Sequence, residues 1–313
     1  MSDCFISICI PAYKRTDYLQ RLLQSIAVQT YRDFEVIVTD DSPNDEVKQL
    51  CNQYSGSFPL HFYKNPQNLN TPENWNEGIR KSKGEWIKLV HDDDWFSSPE
   101  SLAKFAEAAK KHPGHTFFFS AYTNIYEGTG RMQEMRLKPF WSKALLQNPM
   151  VLISDNVVGP PSVTMHKNDK TTWYDRNMKY VVDIDFYIRY LENTRPYYID
   201  EPLINVGINQ AQVTKYTFGV PEVHLKESLL LLEKTGPKHL KNMIVFDGWW
   251  RLIRNFSVKN VDQLCAFGYN GPVPQIIERI IQFQNRIPAG LLKNGIISKS
   301  LMSCCYLLGR NKI

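Results

Sequence analysis

Residues 4–41 read CFISICIPAYKRTDYLQRLLQSIAVQTYRDFEVIVTDD, and the fold is decided here. Cys4–Ile10 is a short apolar run of the kind that forms a strand buried on both faces, and Pro11 ends it. Thr16 or Asp17 can cap the helix that follows, where Tyr18, Leu19, Leu22, Leu23 and Ile26 recur at helical spacing. Phe34–Thr39 (FEVIVT) is a second buried strand, and Asp40, Asp41, Ser42, Pro43 and Asn44 are turn chemistry. Strand, helix, strand at this length is one βαβ unit.

Outward from it the alternation continues. Asp45–Tyr54 is weakly helical, Leu60–Tyr63 is strand-like, and Pro72–Ser82 is helical with Trp75 and Ile79 four apart. Glu85–Val90 is a fourth strand that runs straight into His91-Asp92-Asp93-Asp94-Trp95. Pro99–Lys111 reads as helix and Thr116–Tyr122 as an aromatic-rich strand. This order predicts an α/β fold with parallel pairing, right-handed crossovers and helices on both faces of the sheet. Ligands of such sheets bind beyond the carboxyl ends of the strands. Two acidic turns, at 40–41 and 92–94, fall at those ends.

The middle is less regular. A hairpin is expected over 122–136, a short helix over 141–146, and a strand over 162–166 after the Gly159-Pro160-Pro161 turn. Residues 183–193 read as helix and 197–206 as strand. From about Pro221 the pattern is helical, over 222–235, 238–257, 273–286 and 289–308. The expected division is a domain over 1–220, in halves 1–120 and 121–220, followed by a helical region over 221–313.

Composition bounds the possibilities. A chain of 313 residues that is 43% hydrophobic and 12% aromatic can bury a core, which excludes wholesale disorder. No apolar stretch reaches the length of a membrane span, and the N-terminus lacks a secretory signal, so a cytoplasmic location is expected. The cysteines at 4, 9, 51, 265, 304 and 305 form no CxxC pair and read as reduced thiols. The net charge of +5 is uneven: residues 226–313 hold 13 Lys and Arg against 5 Asp and Glu. A basic tail suggests an anionic partner. No basic stripe interleaved with aromatics is present, so nucleic acid is not expected.

Asp92, Asp93 and Asp94 repel one another. Such a run is either a solvated loop or, held together at a strand end, a site for a hard divalent cation with oxygen ligands. Mg²⁺ or Mn²⁺ there would keep positions for waters and for a substrate diphosphate.

With these motifs the chain resembles the family 2 glycosyltransferases of the GT-A fold, over residues 4–206. The resemblance is carried by Pro11-Ala12-Tyr13-Lys14-Arg15, by Val38-Thr39-Asp40-Asp41-Ser42, and by Asn65 through Gly78 (NPQNLNTPENWNEG). It continues in Lys83-Gly84-Glu85-Trp86-Ile87, His91 through Trp95, Gly159-Pro160-Pro161-Ser162, and Val182-Asp183-Ile184-Asp185-Phe186 with Arg189. It implies that 1–120 is the nucleotide-sugar half and 121–220 the acceptor half.

By that resemblance Pro11, Tyr13 and Arg15 line the nucleotide pocket and Asp40 accepts from the uracil N3–H. The other reading of Asp40 and Asp41 is an Asx-type turn. Asn74 and Asn76 would lie near the ribose or diphosphate, or be ordinary helix amides. The family commonly reads Asp-x-Asp-Asp at the metal loop, and His91 fills the first slot here. Asp94 is then the expected ligand of Mn²⁺ or Mg²⁺, with Asp93 next. Asp92 joins them, faces the ribose or completes the turn.

Asp183 is the expected general base, although Val182 stands where the family usually has Glu, and Asp185 competes for the role. The structural alternative for Asp183 is a carboxylate at a helix N-terminus. A family histidine after the last strand is replaced by Asn209, with Gln212 and Lys215 as other candidates. His166, His224, Trp249 and Trp250 read as packing residues. Residues 289–308 are either a docked terminal helix or an amphipathic helix on anionic lipid.

The function implied is inverting transfer of a hexose-type sugar from a nucleotide-diphosphate sugar, a UDP-sugar above all. The acceptor would be a hydroxyl of a glycan or lipid-linked glycan, reached in the cytoplasm or peripherally at the inner face of the membrane. The competing readings are a catalytically inactive nucleotide-sugar-binding module and a sugar nucleotidyltransferase. The glycine-free PAYKR loop speaks against the latter.

Overall fold

A computed structural model describes residues 4–209 and 217–309 of the chain. Strands β1 (Ile6–Ala12), β2 (Phe34–Asp40), β3 (Leu60–Lys64) and β4 (Trp86–Leu89) alternate with helices α1 (Thr16–Ala27), α2 (Glu46–Asn52) and α3 (Glu73–Lys81). All four strands are parallel. Ile6 of β1 lies opposite Phe34 of β2 and, on its other side, opposite Trp86 of β4. Every residue of β2 is buried, as a strand covered on both faces requires.

The side chains of β1 alternate between the two faces. Ile6, Ile8 and Ile10 join one core cluster with Leu19, Leu22, Leu23 and Ile26 of α1 and Leu102, Phe105, Ala106 and Ala109 of α4 (Ser101–Lys111). On the opposite face α3 packs so closely that a Cβ on Gly78 would lie 3.4 Å from Cys9. Helices therefore cover both faces.

The sheet then turns mixed. The later strands are β5 (Trp95–Phe96), β6 (Phe117–Tyr126), β7 (Arg131–Met135), β8 (Thr164–Lys167) and β9 (Pro196–Ile208). The sheet order is β3-β2-β1-β4-β8-β6-β9-β5, with β7 paired to β6. β8 runs antiparallel to both β4 and β6, and the β6–β7 hairpin occupies the stretch expected to hold one. β9 is parallel to β6. The parallel expectation thus holds for β1–β4 and for β6 with β9. The two-residue β5, antiparallel to β9, was too short to carry a pattern.

The helices that follow are α5 (Pro139–Gln147), α6 (Val182–Leu191), α7 (His224–Thr235), α8 (Met243–Asn255), α9 (Asp262–Ala266), α10 (Gln275–Asn285), α11 (Ala289–Lys293) and α12 (Gly295–Gly309). Two expected long helices are divided. Asn242 caps α8 by accepting from the N–H groups of Ile244 and Val245, so 237–241 forms a separate 3-10 turn. Asn294 accepts from Ile296 and Ile297 and divides α11 from α12. α1 begins at Thr16 as expected, but neither Thr16 nor Asp17 caps it; Arg15 precedes it without a capping bond.

The chain forms two compact units. One comprises Met1–Leu146, Val157–Asn177 and Phe186–Gln212, and the other Gln147–Asn156, Met178–Asp185 and Val213–Ile313. The second unit therefore begins before residue 221 and also takes in two short segments from earlier in the chain. Its core includes Trp249 and Trp250, 0% and 1% exposed, which pack as expected. The six cysteines are free thiols.

Candidate active site

In the first unit β4 ends at Leu89 and the chain turns through His91 to Asp94, whose N–H donates to the His91 carbonyl. Asp92, Asp93 and Asp94 are buried, at 3%, 6% and 2% exposure, so this is no solvated loop. Arg15, at the end of β1, answers two of them. Its Nε and Nη2 grip the two oxygens of Asp92, and its Nη1 donates to Asp93 Oδ2 at 3.1 Å. Asn209 Nδ2 donates to the same Asp93 oxygen at 3.1 Å, and the Gly207 N–H to Asp94 Oδ1 at 3.1 Å. Gly207 must be glycine: a Cβ there would lie 2.4 Å from the Asp93 carbonyl oxygen. Arg21 donates to that carbonyl at 3.0 Å and lies 3.7 Å over the Trp95 ring.

His91 completes the arrangement. Its N–H donates to Ser162 Oγ at 2.9 Å, and its ring lies 4.7 Å from that of Trp75. Its Nε2 is buried and has no hydrogen-bond partner among the described residues. One ring nitrogen of His91 and one carboxylate oxygen each of Asp93 and Asp94 lie within 4.8 Å of one another. One imidazole and two carboxylates this close together fit a divalent cation such as Mn²⁺. Burial dominates the ionisation here. It raises Asp92 to about 7 against the pull of Arg15, raises Asp94 together with the Asp93 charge, and lowers His91 to about 4 against the pull of Asp93.

The rim at the end of β2 is held by side chains. Asp40 is fully buried; its Oδ1 accepts from the Ser42 N–H at 2.8 Å, as an Asx turn does, and its Oδ2 pairs with Lys64 at 2.7 Å. Asp41 accepts from Asn65 and from the N–H groups of Leu69 and Asn70, which ties the 65–70 loop down. Asn74 donates to the Thr39 carbonyl and accepts from Asn65. Asn76 exchanges two bonds with the Tyr174 backbone. Both amides thus act as posts of the framework. Pro11 lies in β1 opposite Thr39, and Tyr13 is 43% exposed.

In the second unit α6 opens with the two remaining candidates. Asp183 Oδ2 accepts from Asn156 at 2.9 Å and Oδ1 from the Ile184 N–H at 2.8 Å. Burial lifts Asp183 to about 6 in spite of these bonds. Asp185 is 0% exposed and its Oδ1 pairs with Lys234 Nζ at 2.9 Å. Asn209 bonds to Asp93, while Gln212 and Lys215 lie outside the described residues.

Residues 7–179 match the family model of glycosyl transferase family 2. The chain belongs to that family. Over 271 residues it is 28% identical to an uncharacterized glycosyltransferase of Haemophilus influenzae, covering 85% of this chain and 81% of that protein. A shorter match, 27% over 114 residues, is to GalNAc(5)-diNAcBac-PP-undecaprenol beta-1,3-glucosyltransferase of Campylobacter jejuni; it covers 36% of this chain and 37% of that protein. Among solved structures, S. aureus TarS 1-349 in complex with UDP superposes with a TM-score of 0.61 at 17% identity, over 98% of this chain and 90% of that one. The mannosyltransferase PcManGT from Pyrobaculum calidifontis, in complex with GDP-Man and Mn²⁺, gives 0.58 at 12% identity, over 98% and 87%. The fold is GT-A with added C-terminal helices, and the protein is a glycosyltransferase.

For this glycosyltransferase the sequence pointed to the carboxylates of the loop and, through the family resemblance, to Arg15 and Asn209, both of which meet them. His91 was visible as a departure from the family's acidic slot, but not as a donor facing Asp93 and Asp94. Gly207, Arg21 and Ser162 reach the loop from 71 or more positions away in the chain. Lys88 carried one signal, a cation inside the apolar run Trp86-Ile87-Lys88-Leu89-Val90.

Proposed function

We propose that the protein is an inverting glycosyltransferase that moves a hexose-type sugar from a UDP-sugar to a hydroxyl of a glycan or lipid-linked glycan. The observation that carries this reading is the group of half-buried His91 with buried Asp93 and Asp94 at the end of β4 in a family 2 chain. TarS has been solved with UDP and with UDP-GlcNAc, and PcManGT with GDP-Man and Mn²⁺, which supports a nucleotide-sugar donor and a divalent cation.

In this reading His91, Asp93 and Asp94 hold Mn²⁺ or Mg²⁺, and Asp92 pairs with Arg15 beside the ribose. The bound cation supplies positive charge beside the departing diphosphate. Arg15 offers a planar set of donors to the same oxygens, with Tyr13 and Pro11 walling the nucleotide. Asp183 takes the proton from the acceptor hydroxyl as that oxygen attacks the sugar C1, and Asn156 holds its carboxylate in place. The burial of Asp185 supports this choice, because a carboxylate that is 0% exposed and bonded to Lys234 is out of reach of an acceptor hydroxyl. One displacement inverts the anomeric centre.

The lipid-linked acceptor is favoured by α12. Ile296 is 83% exposed, and Leu307 and Leu308 are 66% and 65% exposed, beside Lys293 and Lys299. No helix among the described residues is long and apolar enough to cross a membrane. An apolar helix face in a basic region suits the surface of an anionic membrane.

The deciding experiment measures UDP release from UDP-sugars with and without Mn²⁺. Mn²⁺-dependent release is expected. A chain that UDP stabilises against heat but that turns over no UDP-, TDP- or GDP-sugar would be a binding module instead.

A further inference from the structure

An ammonium in the middle of a buried strand is costly, yet Lys88 of β4 is 0% exposed. Its surroundings account for it. The Nζ donates to the Ser162 carbonyl and lies 4.8 Å from the centroid of Phe105 and 5.9 Å from that of Phe96. The carboxylate whose charge acts on it is Asp94. Burial lowers Lys88 to about 7 while Asp94 opposes that shift.

Ser162 joins Lys88 to the acidic loop. It is also 0% exposed and follows the turn Gly159-Pro160-Pro161. Its carbonyl is taken by Lys88. Its hydroxyl oxygen accepts from the backbone N–H of His91 at 2.9 Å, and the same hydroxyl favours the ionised form of the Asp94 carboxyl. The turn has little freedom to shift. Gly159 has φ +100, and a Cβ there would lie 2.7 Å from the Tyr122 ring. One serine thus touches both ends of the loop, His91 and Asp94, and one buried ammonium holds that serine from behind. Neither residue is among the three donors that could face a cation.

We infer that Lys88 and Ser162 are positioning residues for the cation site: Lys88 fixes the Ser162 turn behind the loop, and Ser162 fixes His91 and Asp94 in the geometry that binds the ion. This rests on the reading of His91, Asp93 and Asp94 as the cation site. Partners of this kind behind metal ligands typically change metal affinity by about 10–100-fold when removed. A merely structural role would instead lower stability and all ligand binding together.

The test compares the full-length wild-type chain with Lys88→Met and Ser162→Ala. Methionine keeps most of the volume of the lysine stem without its charge or hydrogen bond. Two probes are used: Mn²⁺ alone, followed by the paramagnetic resonance signal of the free ion, and UDP alone without Mn²⁺. In each variant Mn²⁺ affinity is expected to fall by about 10–100-fold, with metal-free UDP affinity unchanged. Should Lys88→Met not fold, Ser162→Ala decides. Wild-type Mn²⁺ affinity in the variants overturns the inference alone. An equal loss of Mn²⁺ and metal-free UDP binding also overturns it, since the residues would then hold the whole fold. A wild-type chain that binds no Mn²⁺ overturns the cation-site reading and the inference with it.

Discussion

Asp183 and Asp185 stand two positions apart on α6 and differ in what holds them. Asp185 is sealed against Lys234, whereas Asp183 meets an amide and a backbone N–H. Asp183→Asn keeps the shape and removes the basic oxygen. Turnover is expected to drop by about 10²–10⁴-fold, with UDP affinity nearly intact; unchanged turnover removes Asp183 from the role. The ionisation of Asp183 gives a second prediction. A base works deprotonated, and burial has lifted this carboxyl from its ordinary value of 3.8 to about 6. Turnover should therefore rise with pH through about 6 and level off above it, a limb that Asp183→Asn abolishes. The same shift acts on stability. The folded chain binds this proton more tightly than the unfolded chain, so the contribution of Asp183 to stability declines as pH rises from about 4 to about 6. A thermal midpoint followed across that window in the wild type and in Asp183→Asn isolates it.

At the scale of elements, β9 presses Gly207 against the acidic loop, and nothing larger than hydrogen fits. Gly207→Ala must push β9 and the loop apart. Overpacking of this kind costs about 1–3 kcal/mol, so a lower thermal midpoint and weaker Mn²⁺ binding are expected. Full retention of both would show that the loop tolerates the displacement. The same region shows what a sequence can reveal. β1 to β4 were legible because apolar runs end in Pro11, in Asp40 and in His91, and the candidate carboxylates sit at those ends. The residues around the loop were legible only through the family resemblance, which named Arg15 and Asn209 without their partners. Asn209 meets Asp93 across 116 positions and Arg15 meets Asp92 across 77, and no local pattern encodes such pairings. Asn242 and Asn294 were misread for the opposite reason: in a helical stretch one asparagine can continue the helix or cap the next, and apolar periodicity does not distinguish the two.

At the scale of the molecule, charge and exposed apolar surface coincide in the C-terminal region. Sedimentation with liposomes should carry the protein down with anionic lipid and much less with neutral lipid, and Ile296→Asp combined with Leu307→Asp should abolish it. Indifference to lipid charge counts against a membrane-bound acceptor. One property of the sheet bears on how the chain is made. β1 is paired on one side by β2 and on the other by β4, so it is flanked on both sides only once residues 86–89 exist. Until they leave the ribosome, the emerging polypeptide carries a bare apolar edge, open to pairing with other nascent chains. Fragments stalled before Trp86 should therefore need chaperones to stay dispersed, and those extending well past Leu89 should not.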